Sequence, residues 1–227
     1  MKHVLVNEKQ TVNCRLLFSM FLIVTTLCCS CKGEQQQEIN VQDAGAPPQT
    51  TKCLQPMGKF SQKEAQNLKA ELQQHIAELG LGNIKGIKVL PNKPLAGSLM
   101  NDTRTRYRAD KIIRSLQVSK SENRTIIALT HKDISVPLKG KKDWGVLGLS
   151  LRPGTACVAS TFRCKNKADF WKVVMHEFCH TYYNMPHCPN DDSTCIMKDA
   201  KGHANFSVKN RFCKDCIKRP LSFMMRS

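Results

Sequence analysis

The sequence predicts a single α/β or α+β domain behind an N-terminal leader, and three observations lead to this prediction. Segments with apolar residues at helical spacing alternate with short apolar segments typical of strands. Their order is helix, strand, helix, three strands and helix, followed by a turn-rich, cysteine-rich tail. The length of 227 residues is enough for one medium domain and a leader.

The elements are recognised from their apolar spacing and their end signals. The first helix is predicted over 61–80, where Ser61 and Glu64 form a capping box and Gly80 ends the helix. The continuous apolar run over 124–130 predicts a strand in the middle of the sheet. The other predicted elements are a strand over 86–91, a helix over 107–119, strands over 144–151 and 155–162, and a helix over 167–184.

Residues 1–31 have the features of a lipoprotein-type signal segment. Basic residues precede the apolar run LLFSMFLIVTTLCC, which is shorter than the ~20 residues that a membrane-spanning helix needs. Cys31 follows the small residue Ser30 and is the predicted site of lipidation, as in bacterial lipoproteins. An uncleaved N-terminal anchor helix is the alternative, and cleavage after Cys28 or Cys29 is also open.

The leader determines the expected location and domain organisation. We expect an exported lipoprotein that is anchored to the membrane and faces the periplasm or the cell surface. The polar, Gln-rich residues 32–58 are predicted to be a flexible tether. Residues 59–227 are predicted to be the folded domain.

The formal net charge of +17 predicts a strongly basic surface. Such a surface attracts polyanions, anionic lipids or acidic substrates. The Lys and Arg residues are spread along the chain without a dense run, and the predicted export also argues against a nucleic-acid partner. We therefore expect no nucleic acid among the partners.

The helix predicted over 167–184 contains a motif with metal-ligand spacing. His176 and His180 are four residues apart, which places both imidazoles on one helix face where they can share a metal ion. Glu177 follows the first histidine and can hold a water molecule as a general base. An exposed His-Glu-His stripe without metal is the alternative interpretation.

His187 is the predicted third ligand, because a catalytic zinc takes three protein ligands and leaves one position for water. The chain has to turn back sharply after the helix. Asn184 is the residue best suited to the positive φ of such a turn, and Pro186 stiffens the approach to His187. We therefore expect the helix to end near Asn184.

Four cysteines beyond the helix predict a second metal site. Cys213 and Cys216 have C-x-x-C spacing, and Cys188 and Cys195 can supply two further thiolates. Four thiolates close the coordination sphere, which is typical of a structural zinc. Disulfides are one alternative in an exported protein. A thioredoxin-like redox pair is another, although no helix start is recognisable after Cys213.

The stretch from His176 to Cys216 resembles the archaemetzincins, a branch of the metzincin metallopeptidases. Their pattern is H-E-x-x-H-x-x-G-x-x-H-C, then C-x-M, then C-x-x-C, and this chain has the corresponding residues in that order. The resemblance implies a metzincin-like fold, with a mixed sheet flanked by helices and an active-site helix followed by an irregular, zinc-stabilised C-terminal region. It implies a catalytic zinc on His176, His180 and His187, the general base Glu177, a structural zinc on Cys188, Cys195, Cys213 and Cys216, and Met197 as the apolar floor in the Met-turn.

The chain departs from the family pattern at one residue and in three spacings. Tyr183 stands where the family has glycine, and the gap from His180 to His187 is one residue longer. The gap from Cys188 to Cys195 is two residues longer, and the gap from Met197 to Cys213 is shorter.

The predicted function is that of a zinc-dependent metallopeptidase with two zinc ions per chain. Peptide bonds would be hydrolysed by a zinc-activated water with Glu177 as the general base. By family analogy the strand over 155–162 would be the edge strand that pairs with an extended peptide, and simple core pairing is the alternative. The expected partners are a peptide or protein substrate and the membrane, and the protein is expected to be a monomer.

Two other hypotheses remain at this point. One is a non-catalytic, zinc-stabilised binding module with a basic surface. The other is an inactivated peptidase in which the altered turn keeps His187 from the metal. Glu177 favours the enzyme, because a purely structural zinc site does not need a carboxylate at that position.

Overall fold

The computed structural model of this chain describes residues 50–81, 84, 86–152, 154–200 and 206–224. The strands among these residues are β1 (Thr51–Pro56), β2 (Ile87–Val89), β3 (Tyr107–Arg108), β4 (Arg124–Thr130), β5 (Ile134–Leu138), β6 (Lys141–Val146), β7 (Gly148–Ser150) and β8 (Ala156–Ser160). The α-helices are α1 (Gln62–Glu78), α2 (Ala109–Leu116), α3 (Phe170–Tyr182) and α4 (Lys214–Met224).

A five-stranded mixed sheet in the order β2-β1-β4-β8-β7 is the centre of the fold. Strands β2, β1, β4 and β8 are parallel, and β7 pairs antiparallel with β8 at one edge. The middle position of β4 confirms the prediction that its continuous apolar run is central. The predicted α/β class with a mixed sheet flanked by helices is also confirmed.

Helices cover both faces of this sheet. One core joins α1 and α3 to side chains such as Leu54, Ile127 and Cys157. The other core joins Ile112 and Ile113 of α2 to the opposite face of the same strands. Alternate residues of each strand point to opposite faces, so the apolar run of a central strand supplies both cores at once.

Helix α1 begins with the capping box that the sequence predicts. The backbone N–H of Ser61 donates to Glu64 Oε2 at 2.8 Å, and the backbone N–H of Glu64 donates to Ser61 Oγ at 3.1 Å. Beyond the helix, Gly80 has a φ of 72°, a left-handed value that suits glycine. The predicted start and stop signals are therefore both confirmed.

A second, three-stranded sheet in the order β3-β5-β6 was not predicted as a separate unit. The segment predicted as one strand over 144–151 is divided, because β6 ends at Val146 in the small sheet and β7 begins at Gly148 in the main one. The carboxylate of Asp133 accepts hydrogen bonds at 2.7 Å from the Nε atoms of both Arg106 and Arg163. These ion pairs connect the small sheet to the end of β8.

The boundary of the predicted tether at residue 58 is wrong, because Thr51–Pro56 forms β1. This strand pairs with β4 from Thr51 to Pro56 and with β2 on its other side. The segment reads TKCLQP, and its polar residues and final proline are not typical of a strand. In the structure the strand is nonetheless almost wholly buried. The folded domain therefore includes residue 51, and the leader with Cys31 and the rest of the tether through residue 49 lie outside the described residues.

Within the described part of the chain, no helix combines the length and the apolar character that a membrane crossing requires.

We predict that a chain beginning at Lys59 does not fold, whereas a chain beginning at Gln49 does. Loss of β1 leaves β2 and β4 without their shared partner and opens the middle of the sheet. Circular dichroism with a urea titration would compare the two chains. A cooperative unfolding transition in the chain that begins at Lys59 would show that β1 is dispensable.

Candidate metal centres and active site

Helix α3 positions the first two predicted ligands. From Phe170 to Thr181 every residue of the helix is buried between the sheet and the C-terminal tail. His176 and His180 lie one turn apart, each with 5% of its surface exposed, and their ring planes meet at 89°. The metal-ligand spacing therefore lies on a buried helix and not on an exposed stripe.

Both imidazoles are held by backbone carbonyls. Nδ1 of His176 donates to the carbonyl of Ile196 at 2.7 Å, and Nδ1 of His180 donates to the carbonyl of Met185 at 2.6 Å. A carbonyl can only accept, so in the neutral rings the proton lies on Nδ1 and Nε2 carries a lone pair.

The two Nε2 atoms face each other at 3.0 Å. With both protons on Nδ1, neither atom can donate to the other, so two buried lone pairs stand opposed. Tetrahedral zinc with bonds of ~2.0–2.1 Å would hold two such nitrogens about 3.3 Å apart. The donor pair in His176 and His180 therefore fits a shared metal ion.

The turn after α3 brings the third histidine to the other two. Asn184 has a φ of 50°, which confirms the prediction that it occupies the left-handed region. The ring centroid of His187 is 5.3 Å from that of His176 and 4.7 Å from that of His180. One donor atom from each of the three histidines lies within 4.8 Å of the others. The extra residue in the turn does not keep His187 away.

The residue that replaces the family glycine is part of the core. Tyr183 is the C-cap of α3 with a φ of −93°, so its backbone does not need glycine. Its ring packs against that of Phe178 at 5.8 Å between centroids, and 3% of its surface is exposed. The positive φ that the turn requires is displaced by one residue, to Asn184.

The surroundings keep the three histidines neutral. Burial lowers the pKa of His176 well below its ordinary value and lowers that of His180 to about 4. Burial also lowers the pKa of His187. Neutral imidazole is the form that binds metal, so near pH 7 no proton has to be displaced from these rings.

Glu177 is buried beside the edge strand of the main sheet. Ser150 Oγ lies 2.7 Å from Glu177 Oε2 and 2.8 Å from the backbone carbonyl of Glu177. Burial raises the pKa of Glu177 to about 7, although the hydrogen bond from Ser150 and the charge of Arg152 both act to lower it. This carboxyl can therefore change its protonation state near neutral pH.

Strand β7 supplies two residues to the site that were not recognised in the sequence. A Cβ atom on Gly148 would lie 2.5 Å from Glu177 Cγ, so only glycine permits this close approach. Ser150 is two residues further and on the same face of the strand. The sequence signal for both residues was a pair of small residues at alternate positions of a short strand. That pattern alone does not indicate a site, because it does not show that Glu177 packs against the strand.

The edge strand was assigned to the wrong segment. The strand predicted over 155–162 is β8 (Ala156–Ser160), which pairs with β4 on one side and β7 on the other. Strand β7 is the terminal strand of the sheet at this side. The more apolar segment is the interior strand, because both faces of an interior strand are covered.

Met197 is completely buried in the core beside the histidine site. The backbone carbonyl of Met197 accepts from the N–H of Cys188 at 2.8 Å, and the preceding Ile196 carbonyl holds His176. This placement suits an apolar floor, which stays a prediction for Met197.

The four C-terminal cysteines form a second, buried cluster. Their sulfur atoms lie within 4.8 Å of one another, and Cys188 Sγ is 3.6 Å from Cys213 Sγ. A tetrahedral zinc with Zn–S bonds of ~2.3 Å would separate two sulfurs by about 3.8 Å. The cysteines that the structure describes are all free, so the cluster of Cys188, Cys195, Cys213 and Cys216 suits a metal ion.

The expectation that no helix starts after Cys213 is wrong, because α4 begins at Lys214. Burial opposes ionisation of Cys213, but hydrogen bonds from the backbone of Cys216 and Asp215 outweigh it and lower the pKa of Cys213 to about 7. Burial raises the pKa of Cys188 to about 11. A helix N-terminus therefore stabilises one thiolate in the cluster.

The two clusters share two short backbone segments. His187 of the first cluster directly precedes Cys188 of the second. Cys195 precedes Ile196, whose carbonyl holds His176 and whose N–H donates to the carbonyl of Arg211 at 2.8 Å. Movement of the cysteine cluster would therefore displace His187 and also the Ile196 carbonyl to which His176 donates.

No family model matches the sequence, and no curated protein matches it. Solved structures do match the fold. The archaemetzincin from Methanopyrus kandleri is similar with a TM-score of 0.60 and 22% identity, over 77% of this chain and 96% of that one. The archaemetzincin from Archaeoglobus fulgidus gives a TM-score of 0.52 at 22% identity, over 74% of this chain and 99% of that one.

A zinc-dependent peptidase from Methanocorpusculum labreanum is also similar. Its TM-score is 0.56 at 15% identity, over 74% of this chain and 99% of that one. Identities this low relate folds and not activities. The chain has the fold of the archaemetzincin structures, as the pattern of its histidines and cysteines predicts.

Proposed function

We propose that this protein is a zinc-dependent metallopeptidase. The observation that carries the proposal is the pair of buried imidazoles whose Nε2 atoms face each other at 3.0 Å, beside the buried carboxyl of Glu177. His187 completes a set of three nitrogen donors, which leaves a fourth position for water or substrate. The likeness to zinc-dependent peptidases supports the same conclusion.

In the proposed mechanism Glu177 moves the proton. A zinc ion on the three histidines would polarise the scissile carbonyl and lower the pKa of a bound water molecule. Glu177 takes the proton from water and later delivers it to the leaving amine. Its buried position next to His176 and beside strand β7 suits both steps, because water and the leaving amine would lie close to its oxygens. Ser150 orients the carboxylate through Oε2.

Strand β7 is the proposed binding edge for the peptide substrate. Its pairing with β8 uses one side, and in the described part of the chain no strand pairs with the other. An extended peptide could add there through main-chain hydrogen bonds. Gly148 and Ser150 of this strand contact Glu177, so a peptide on this edge would lie close to the general base.

We propose a second, structural zinc on Cys188, Cys195, Cys213 and Cys216, which gives two zinc ions per chain. Four thiolates leave no position for substrate, so this ion would only hold the tail in place. A non-catalytic binding module would need the same cysteine site. It would not need a buried carboxyl whose close approach to β7 requires glycine at 148.

We predict that Glu177→Gln keeps both zinc ions and loses peptidase activity by ~10²–10⁴-fold, the usual contribution of a general base. His187→Ala should lose the histidine-bound zinc and retain the cysteine-bound one. Zinc would be counted by elemental analysis, and cleavage measured with a mixed peptide library. His75→Ala, which alters a histidine outside both clusters, is the control. Unchanged cleavage by Glu177→Gln would contradict the proposed mechanism.

We predict that Cys216→Ser weakens metal binding at the histidines as well. The variant should bind cobalt at the histidine site ~10–100-fold more weakly, because the segment that carries the Ile196 carbonyl loses its anchor. Cobalt bound by thiolates and by imidazoles differs in its visible spectrum, so the two sites are measured separately. Cys164→Ser, outside the cluster, is the matched control. Equal histidine-site affinities in wild type and Cys216→Ser would refute the coupling.

We predict that zinc binding at the histidine site releases on the order of one proton at pH 6. The raised pKa of Glu177, about 7, means that the metal-free carboxyl is protonated at pH 6, and a nearby dication lowers that pKa and expels the proton. His176 and His180 contribute little, because burial lowers the pKa of His176 well below its ordinary value and lowers that of His180 to about 4. Calorimetry in buffers of different ionisation enthalpy, with the cysteine site already filled, counts the protons. Glu177→Gln should release fewer protons than the wild type, and the difference counts the proton of the carboxyl.

A further inference from the structure

Arg152 borders the proposed active site without belonging to the metal-binding set. It lies two residues beyond Ser150, just past the end of the edge strand β7. Its Nη1 donates to the backbone carbonyl of Met185 at 2.5 Å, in the turn that leads to His187. The guanidinium therefore lies beside the turn that leads to His187, and its charge acts on the ring of His187.

The hydrogen bond to Met185 uses one of the five N–H groups of Arg152. The same carbonyl accepts from Nδ1 of His180, so the guanidinium lies one carbonyl away from a proposed metal ligand. Arg152 is exposed, and no carboxylate within the described ranges lies at salt-bridge distance from it. The remaining N–H groups can reach a ligand from solvent.

The other charged side chains around the histidines are less suited to bind a carboxylate from solvent. The ammonium of Lys209 also acts on His176 and His187, but it is 3% exposed and donates to the backbone carbonyl of Lys198. Asp199 is the nearby acid whose charge acts on His187 in the opposite direction. Among these groups, Arg152 is the exposed cation beside the edge strand.

We propose that Arg152 binds a carboxylate of the peptide substrate, so that the enzyme prefers peptides with a carboxylate close to the scissile bond. A guanidinium presents parallel N–H groups that match the two oxygens of a carboxylate. The carboxylate can come from an acidic side chain or from a free C-terminus near the cleaved bond. This specificity rests on the proposed peptidase function, because it assigns a role to the substrate of that site.

The test compares matched peptides and matched variants. Glu-containing and Gln-containing peptides test the side-chain source, and peptide acids and peptide amides test the C-terminal source. We expect Arg152→Gln to lower kcat/KM for the carboxylate peptides ~10–100-fold more than for the matched neutral peptides, so that the ratio between the two reports recognition. Arg114→Gln, on helix α2 across the sheet, is the control and should change neither.

A second measurement separates recognition from catalysis. Fluorescence anisotropy with zinc-loaded Glu177→Gln would compare binding of labelled carboxylate and carboxamide peptides, with and without Arg152→Gln. We expect the carboxylate peptide to bind more tightly than the carboxamide peptide, and we expect this difference to be lost in Arg152→Gln. A preference that survives Arg152→Gln would assign the carboxylate to the metal ion and overturn the proposal.

Two further outcomes distinguish this specificity from the activity on which it rests. If the wild type cleaves carboxylate and neutral peptides equally well, the specificity is wrong and the peptidase function stands. If no peptide is cleaved, the peptidase function is wrong. Carboxylate binding is then judged from anisotropy alone, and equal affinities for the carboxylate and carboxamide peptides would reject it as well. A third outcome is that Arg152→Gln binds less zinc at the histidine site and loses kcat/KM equally on both kinds of peptide. This would show that Arg152 only supports the turn at Met185, and it would overturn the proposed recognition.

Discussion

The histidine site depends on two hydrogen bonds that hold His176 and His180 in one tautomer. Each Nδ1 donates to a backbone carbonyl, so each Nε2 presents a lone pair to the other in a buried space. Two opposed lone pairs repel each other, so this arrangement suits a cation shared by the two nitrogens. Both carbonyls, of Ile196 and Met185, belong to chain beyond α3. The tail therefore has to be in place before the helix offers a metal site.

The cysteine cluster is suited to hold the tail in this position. From Met185 to Cys213 the described residues contain no α-helix or strand, and ordering such a segment costs ~1–2 kcal/mol of backbone entropy per residue. Metal ligation by four thiolates can offset part of that cost, because the binding free energy of a structural site contributes to folding. Cys188 follows His187, and Cys195 precedes Ile196. The cluster is thus attached at the two points where the tail meets the histidines.

Sequence reasoning succeeded where the information was local. The capping box of Ser61, the central apolar strand β4 and the positive φ of Asn184 each follow from a few neighbouring residues. It failed where pairing with distant residues decides the structure. Strand β1 is polar in sequence and is a strand because β2 and β4 lie on both sides of it. Gly148 has a role only because Glu177 packs against it, which no local pattern reveals.

The longer turn after α3 connects the histidines to the edge strand. Tyr183 ends the helix in the core, and Asn184 reverses the chain, so the extra residue costs no unfavourable φ in Tyr183. The carbonyl of Met185 then accepts from both His180 and Arg152. One backbone atom thereby orients a proposed metal ligand and holds the cation at the end of the strand on which a peptide would lie. The contacts that accommodate the longer turn would therefore also bring the proposed substrate recognition and the proposed metal binding to the same turn.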